Sequence, residues 1–224
     1  MTFSIAAVCQ RSGQIGYAVT TSSVCVGARC GQIGPDCVVF SQARTDPRLH
    51  ANGLAAYAAS NSADAALQAM KEAAVSLHWR QLGILTRSAE VAHFTGESCL
   101  PCCGGLGGAG SLALGNFLGS EDVLPAMVEG AANAAAPLAE RLLAALAAGQ
   151  EAGGERDPLQ SAALKVLGAD HLYDADLRVD KSVDPIADLA ALWQDWKPKA
   201  TAYRTRALAP DDAPPSSAVE RNTQ

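Results

Sequence analysis

Basic residues are in short supply in this sequence. Lys and Arg number 17 against 23 Asp and Glu, for a formal net charge of -6, and no stretch sets cations beside aromatic residues along one face. Nucleic acid and anionic membrane surfaces are therefore not expected partners. Long hydrophobic runs are lacking too. The greasiest region, Ala131 to Ala148, is interrupted by Asn133, Pro137, Glu140 and Arg141, so it cannot supply the roughly 20 apolar residues that span a bilayer. The opening MTFSIAAVCQRSG has no basic start, sustained apolar run or small-residue cleavage site, which makes the cytoplasm the expected location. No Gly-Lys-Ser/Thr follows the glycines at 104, 105, 107, 108 and 110, which removes a phosphate loop and favours a flexible or site-lining connection. Cys99-x-x-Cys102-Cys103 has no second CxxC or HxxxH half, short of the four ligands of a structural zinc. No metal and no cofactor are expected.

What is present describes one ordinary globular domain. The chain has 224 residues, 49% hydrophobic and 18% charged, enough to bury roughly 70% of the surface its unfolded form exposes. Its seven cysteines, an odd set in a reducing compartment, read as free thiols, mostly buried. Phe3 to Cys9 and Gln14 to Thr20 are apolar runs split by a Gly-containing turn and predict a hairpin. Val24 to Cys30 and Cys37 to Gln42 extend it to four strands. Asp46-Pro47 opens a helix to about Ser60, and Ser62 starts a second with Ala66, Ala69, Met70 and Ala73 at helical spacing. Strands follow at Gln81 to Thr86, Glu90 to Thr95 and Leu112 to Leu114. Asp122 to Ala148 reads as helix broken near Pro137, Ser161 to Leu167 and Asp176 to Asp180 as strands, and Asp184-Pro185 caps a last helix reaching Trp196. This order fits an α+β fold with helices outside two stacked antiparallel sheets, an αββα sandwich over 1–197. From Pro198 the Pro-, Ala- and Ser-rich composition predicts a disordered tail, 198–224.

The residue with the most chemistry to offer is Thr2. It is small enough for methionine aminopeptidase to remove Met1, leaving hydroxyl and free α-amine on one residue. Such an amine has a pKa of about 7.7 to 8.0, close to a useful base at neutral pH, and a threonine activated by its own amine is a recognised nucleophile and base pair. A threonine in second place is also common without any such role. Here it leads straight into the predicted strand Phe3-Ser4-Ile5-Ala6-Ala7-Val8, which would hold the terminus firmly. A cysteine nucleophile paired with His78 or His93 would instead need a neighbour that lowers its thiol pKa.

Short pieces in a shared order carry a resemblance. They include Thr2-Phe3-Ser4-Ile5, Gly16-Tyr17-Ala18-Val19 with Ser22, Gln42-Ala43 with Thr45 and Pro47, and Asn52-Gly53-Leu54. Further along come Arg80-Gln81-Leu82-Gly83, Thr95-Gly96 with Cys99 and Pro101, Gly115-Asn116 with Leu118, Leu138 to Leu143, Gln160-Ser161-Ala162-Ala163, and Leu177-Arg178-Val179-Asp180. From Thr2 to about Trp196 the chain resembles the uncharacterised bacterial proteins known as domain of unknown function 1028. The resemblance implies an N-terminal-nucleophile (Ntn) hydrolase-like αββα sandwich, whose relatives hydrolyse linear amides. By that implication Thr2 is the nucleophile of an amidohydrolase acting on a small-molecule amide, and the backbone N–H near Ala43 and the Asn116 side chain are oxyanion donors. Asn116 also reads as a turn residue after Gly115. Ser22 is the favoured polar neighbour among Thr20 to Ser23, or else a strand end bonding its own backbone. Gln42 and Thr45 read as substrate contacts or as helix-entry caps, and Arg156 as a carboxylate clamp or a loop ion pair. The chain departs from the pattern at Ser23, where Arg or Lys is usual, at Gly154-Glu155-Arg156-Asp157-Pro158 against Gly-Asp-Arg-Arg-Gly, at Lys181-Ser182 against Asp-His, and at Cys102-Cys103 where tryptophan is expected. An Ntn-like binding or scaffold protein without chemistry is the alternative. Sheet edges and an Ala-rich helix face leave room for a homodimer.

Overall fold

In the computed structural model, which describes residues 1–221, ten strands form two antiparallel sheets. The larger runs β10-β9-β2-β1-β8-β7 and the smaller β3-β4-β5-β6. The first hairpin is β1 (Thr2–Cys9) with β2 (Gln14–Thr21), and β3 (Gly31–Ile33) pairs with β4 (Cys37–Ala43). Helices α1 (Arg48–Ser60) and α2 (Ala63–Ala73) follow, then β5 (Arg80–Thr86), β6 (Val91–Thr95), β7 (Gly104–Gly108) and β8 (Ser111–Asn116). After α3 (Val123–Gly130) and α4 (Leu138–Glu151) come β9 (Ser161–Leu167), β10 (Tyr173–Val179), α5 (Pro185–Leu208) and α6 (Ser216–Arg221).

Three buried clusters define the layers. Alternation along β1 sends Phe3, Ile5 and Ala7 toward Leu142, Leu146 and Leu189 of α4 and α5, and sends Ala6 and Val8 toward Val38, Phe40 and Leu85 of the smaller sheet. On that sheet's far face Val39, Leu82 and Ile84 meet Leu49, Tyr57, Ala66 and Met70 of α1 and α2. The result is a mixed α+β architecture of two antiparallel sheets between helical layers. Ser62 caps α2 by accepting from the Ala65 N–H at 3.3 Å, as its sequence position predicts. Among the described residues no helix is long and apolar enough to cross a membrane.

Three segments differ from the sequence expectation. Val24 to Cys30 is not a strand. Cys25 takes a left-handed conformation (φ 60) and opens a short 3-10 turn, Val26–Ala28. The segment's amides go elsewhere, Cys25 N–H to the Asp180 carbonyl at 2.9 Å and Val26 N–H to Ser161 Oγ at 3.0 Å, while Gly27 lies so close to Ala163 that a Cβ would come within 2.6 Å of it. The glycines from 104 form the edge strand β7 rather than a flexible loop. A Cβ at Gly105 would stand 2.7 Å from His93 Nδ1, so glycine here lets the edges of the two sheets approach. The tail is helical where disorder was expected: α5 continues through Pro198 to Leu208. Trp196 stacks on Tyr203 with ring centroids 5.2 Å apart, Trp196 Nε1 donates to the Asp174 carbonyl at 2.7 Å, and Arg204 pairs with Asp174 at 2.8 Å. Composition alone hides these anchors, and the end of that tail, 222–224, lies outside the described residues.

His50, on α1, is 4% exposed and its Nε2 has no hydrogen-bond partner. Burial pushes the imidazole down to about 4, against the opposing pull of a hydrogen bond to the Cys30 backbone and of the Asp46 carboxylate. Between that value and the ordinary 6.5 the unfolded chain binds the proton and the fold does not, so stability rises with pH through this window. Urea unfolding is therefore expected to lose about 3 kcal/mol between pH 7 and pH 4 from this group, and His50→Gln to flatten that slope.

Candidate functional site

Thr2 is the first residue of β1, and that strand lies between β2 and β8 in the larger sheet. Thr2 pairs in register with Asn116, the last residue of β8, and is 3% exposed. It shares the parity of Ser4, Ala6 and Val8, so its side chain faces the interior between the sheets. Two buried glutamines cross that interior at this end. Gln42 Nε2 donates to Ser4 Oγ, while Gln42 Oε1 is left without a partner. Gln81 Nε2 lies 2.8 Å from the Gly115 carbonyl and 3.0 Å from both the Gly104 carbonyl and Thr95 Oγ1, and its Oε1 accepts from Asn116 Nδ2 at 2.9 Å. Gln81 therefore fixes the Asn116 amide.

With Met1 attached, the polar groups around Thr2 converge on one carbonyl. The Thr2 hydroxyl donates to the Met1 carbonyl oxygen, and the Thr21 hydroxyl donates to the same atom at 2.6 Å. Ser22, just past β2, places its Oγ 3.7 Å from Met1 Sδ and gives its backbone N–H to Glu155 Oε2 at 3.0 Å. The Cys30 thiol lies against Thr45 Oγ1 at 3.5 Å and beside the Thr2 hydroxyl; burial pushes this thiol up, so it stays protonated. Burial likewise pushes Cys99 and Cys103 up, the opposite of what a cysteine nucleophile needs. All seven cysteines are free thiols. Among the described residues no three His, Cys, Asp or Glu side chains gather as a metal cluster would.

A pocket of about 280 Å3 opens beside Thr2, lined by Met1, Ala43, Arg44, Trp79, Leu100 and Asn116 among others. Both strand ends that meet it turn sharply: Ala43 (φ 64) ends β4 and Phe117 (φ 62) follows β8, a left-handed conformation uncommon for residues with a Cβ and costing of order 1 kcal/mol or more. The Arg44 amide is engaged with the Trp79 carbonyl at 3.2 Å, which leaves Ala43 as the candidate donor of this turn. The Arg44 guanidinium stacks 3.6 Å over Trp79. Thr2, Ser22, Ala43, Asn116, Gln42 and Thr45 are thus brought to one end of the sheets. Arg156 reaches the same end by its backbone, whose N–H donates to the Phe117 carbonyl at 3.2 Å, but its side chain does not join the site: its Nε donates to the Leu118 carbonyl at 3.1 Å, its guanidinium lies 5.8 Å from the Phe117 ring centroid, and it lines neither this pocket nor the one beside Ser22. Gln81 and Glu155 were missing from the sequence-based site, because their roles depend on partners far away in the chain.

A family of unknown function (DUF1028) matches residues 2–189. The chain belongs to this family. A crystal structure of a family protein from Silicibacter pomeroyi, SPO2555, is similar at 32% sequence identity, with a TM-score of 0.80 over 86% of this chain and 88% of that one. Comparison with curated proteins returned no match.

Just past β2, Arg29 reaches back along the chain, donating from Nη2 to Ser23 Oγ and from Nη1 to the Val24 carbonyl. Asp157, Lys181 and Ser182 line a second pocket of about 740 Å3 whose wall includes Ser22. Replacing Gln81 by Met is expected to cost roughly 1–3 kcal/mol, because the Gly115 and Gly104 carbonyls and the Asn116 amide lose a buried partner. Urea titration measures it.

Proposed function

We propose that the chain is an Ntn-type amidohydrolase that cleaves a linear small-molecule amide, with Thr2 as nucleophile after removal of Met1. The observation that carries this reading is the convergence of the Thr2 and Thr21 hydroxyls on the Met1 carbonyl, at a rigid strand end beside a pocket. Loss of Met1 would free both hydroxyls and put a primary amine on the same residue. In the proposed cycle Thr2 Oγ attacks the amide carbon as the Thr2 amine takes its proton, and the amine passes that proton to the departing amine. Water, deprotonated by the same amine, then cleaves the Thr2 ester and releases a carboxylic acid. Asn116 Nδ2 and the Ala43 amide are the proposed donors to the developing oxyanion, with Ser22 ordering the entrance and Gln42 and Thr45 supporting the substrate side.

A second reading, an Ntn-like binding or scaffold protein, follows from the pocket beside Ser22, which is lined by Asp157 and Ser182 where the resemblance implies Arg and His. Intact mass of untagged protein separates the two. The enzyme reading expects loss of one methionine, turnover of some linear amide abolished by Thr2→Ala and partly kept by Thr2→Ser, and a fall in kcat of about 10² to 10³ for Asn116→Ala. Retention of Met1 would sink it and favour the binding protein.

A further inference from the structure

The mechanism above leaves one buried ionisable group without a task. Glu155 is 8% exposed. Its Oε2 accepts the Ser22 N–H at 3.0 Å, but its Oε1 is buried with no hydrogen-bond partner. Among the described residues it forms no ion pair with Lys or Arg, and its neighbour Arg156 turns away to the Leu118 carbonyl. A half-satisfied buried carboxylate costs free energy and calls for a reason. The backbone nonetheless places it with care. Glu155 bridges to Leu118, the Gly119 N–H donates to the Gly154 carbonyl at 2.9 Å, and Gly154 sits at φ 52, where a Cβ would collide with Gln150.

Burial pushes the Glu155 carboxyl up and outweighs the groups that hold it down: Ser22, the positive charge at the start of the chain and the Thr21 hydroxyl. The Thr21 hydroxyl spends its hydrogen on the Met1 carbonyl, an atom two bonds from the Thr2 nitrogen. Ser22 holds the carboxylate and its chain neighbour Thr21 holds the Met1 carbonyl, so the carboxylate is placed at the strand end where the Thr2 amine would be exposed. We propose that Glu155 is the positioning residue for the α-amino group of Thr2, its Oε1 receiving the amine once Met1 is gone. This inference rests on the reading of Thr2 as the functional first residue.

The proton balance is simple. Ammonium and carboxylate form the ion pair; transfer of one proton from nitrogen to Oε1 gives neutral amine and neutral acid, still hydrogen-bonded, and frees the amine lone pair to act as base. The two groups titrate as a unit. Glu155 thereby holds the amine toward Thr2 Oγ and keeps its proton within the site.

The test reads the amine directly. Full-length protein beginning at Thr2, released from an N-terminal fusion by a site-specific protease, is labelled with 13C-threonine and the Thr2 Cα shift is followed against pH. The parent is expected to titrate above the ordinary range of about 7.7 to 8.0, and Glu155→Gln to lower that value by about one unit or more. Glu155→Asp is expected to fall between them. A parent value at or below the ordinary range, or a Glu155→Gln protein that titrates like the parent, overturns the proposal; if Glu155→Gln does not fold, the parent and Glu155→Asp values decide. The measurement needs neither turnover nor natural removal of Met1, so an inactive protein would count against the amidohydrolase reading and leave this result standing or falling by itself.

Discussion

The pairing of Thr2 with Asn116 at the edge of a central strand is the constraint on which the site depends. A chain terminus ordinarily frays, because few contacts oppose its entropy. Here the first strand is inserted between β2 and β8 and covered on both faces, so residue 2 inherits the rigidity of the sheet. Its hydroxyl faces the interior because the strand's alternation leaves it no other direction. The polar groups around it are then fixed by elements distant in sequence: Gln81 holds Asn116, the left-handed turn at Ala43 ends β4, and the loop after α4 delivers Glu155.

Much of this framework is legible from residues alone, because it rests on local signals. Period-2 runs split by turn residues mark the β1–β2 hairpin, and Ser62 with Ala66 and Met70 marks α2 and its buried face. The misread segments are those whose conformation is decided at long range. Val26 and Gly27 look like strand residues until Ser161 and Ala163 take their contacts. The glycines from 104 look flexible until pairing with β8 makes them an edge strand, with His93 and Leu114 packed where a side chain at Gly105 would stand. Trp196, Tyr203 and Arg204 keep α5 helical through a proline that composition counts as a breaker. At the site Thr2 and Asn116 stand out by residue type and place. Glu155 does not, since burial with one orphan oxygen is a tertiary property.

Membership of the family goes with a shared scaffold, seen in the similar fold of a second family protein. Arg29, six positions on from Ser23 in the chain, sets a guanidinium beside that strand end. Asp157 and the pair Lys181-Ser182 are far apart in sequence yet line one pocket beside Ser22.

The shared carbonyl of Met1 has a practical side. While it is attached, both nearby hydroxyls spend their hydrogens on it and the nitrogen of Thr2 is an amide, so any upstream extension works as a protecting group on the centre beneath it. On the Thr2 reading, purification handles and fusion partners joined at the front would turn a competent molecule into a blocked one. Substrate surveys run on such material would come back blank whatever compounds they contained.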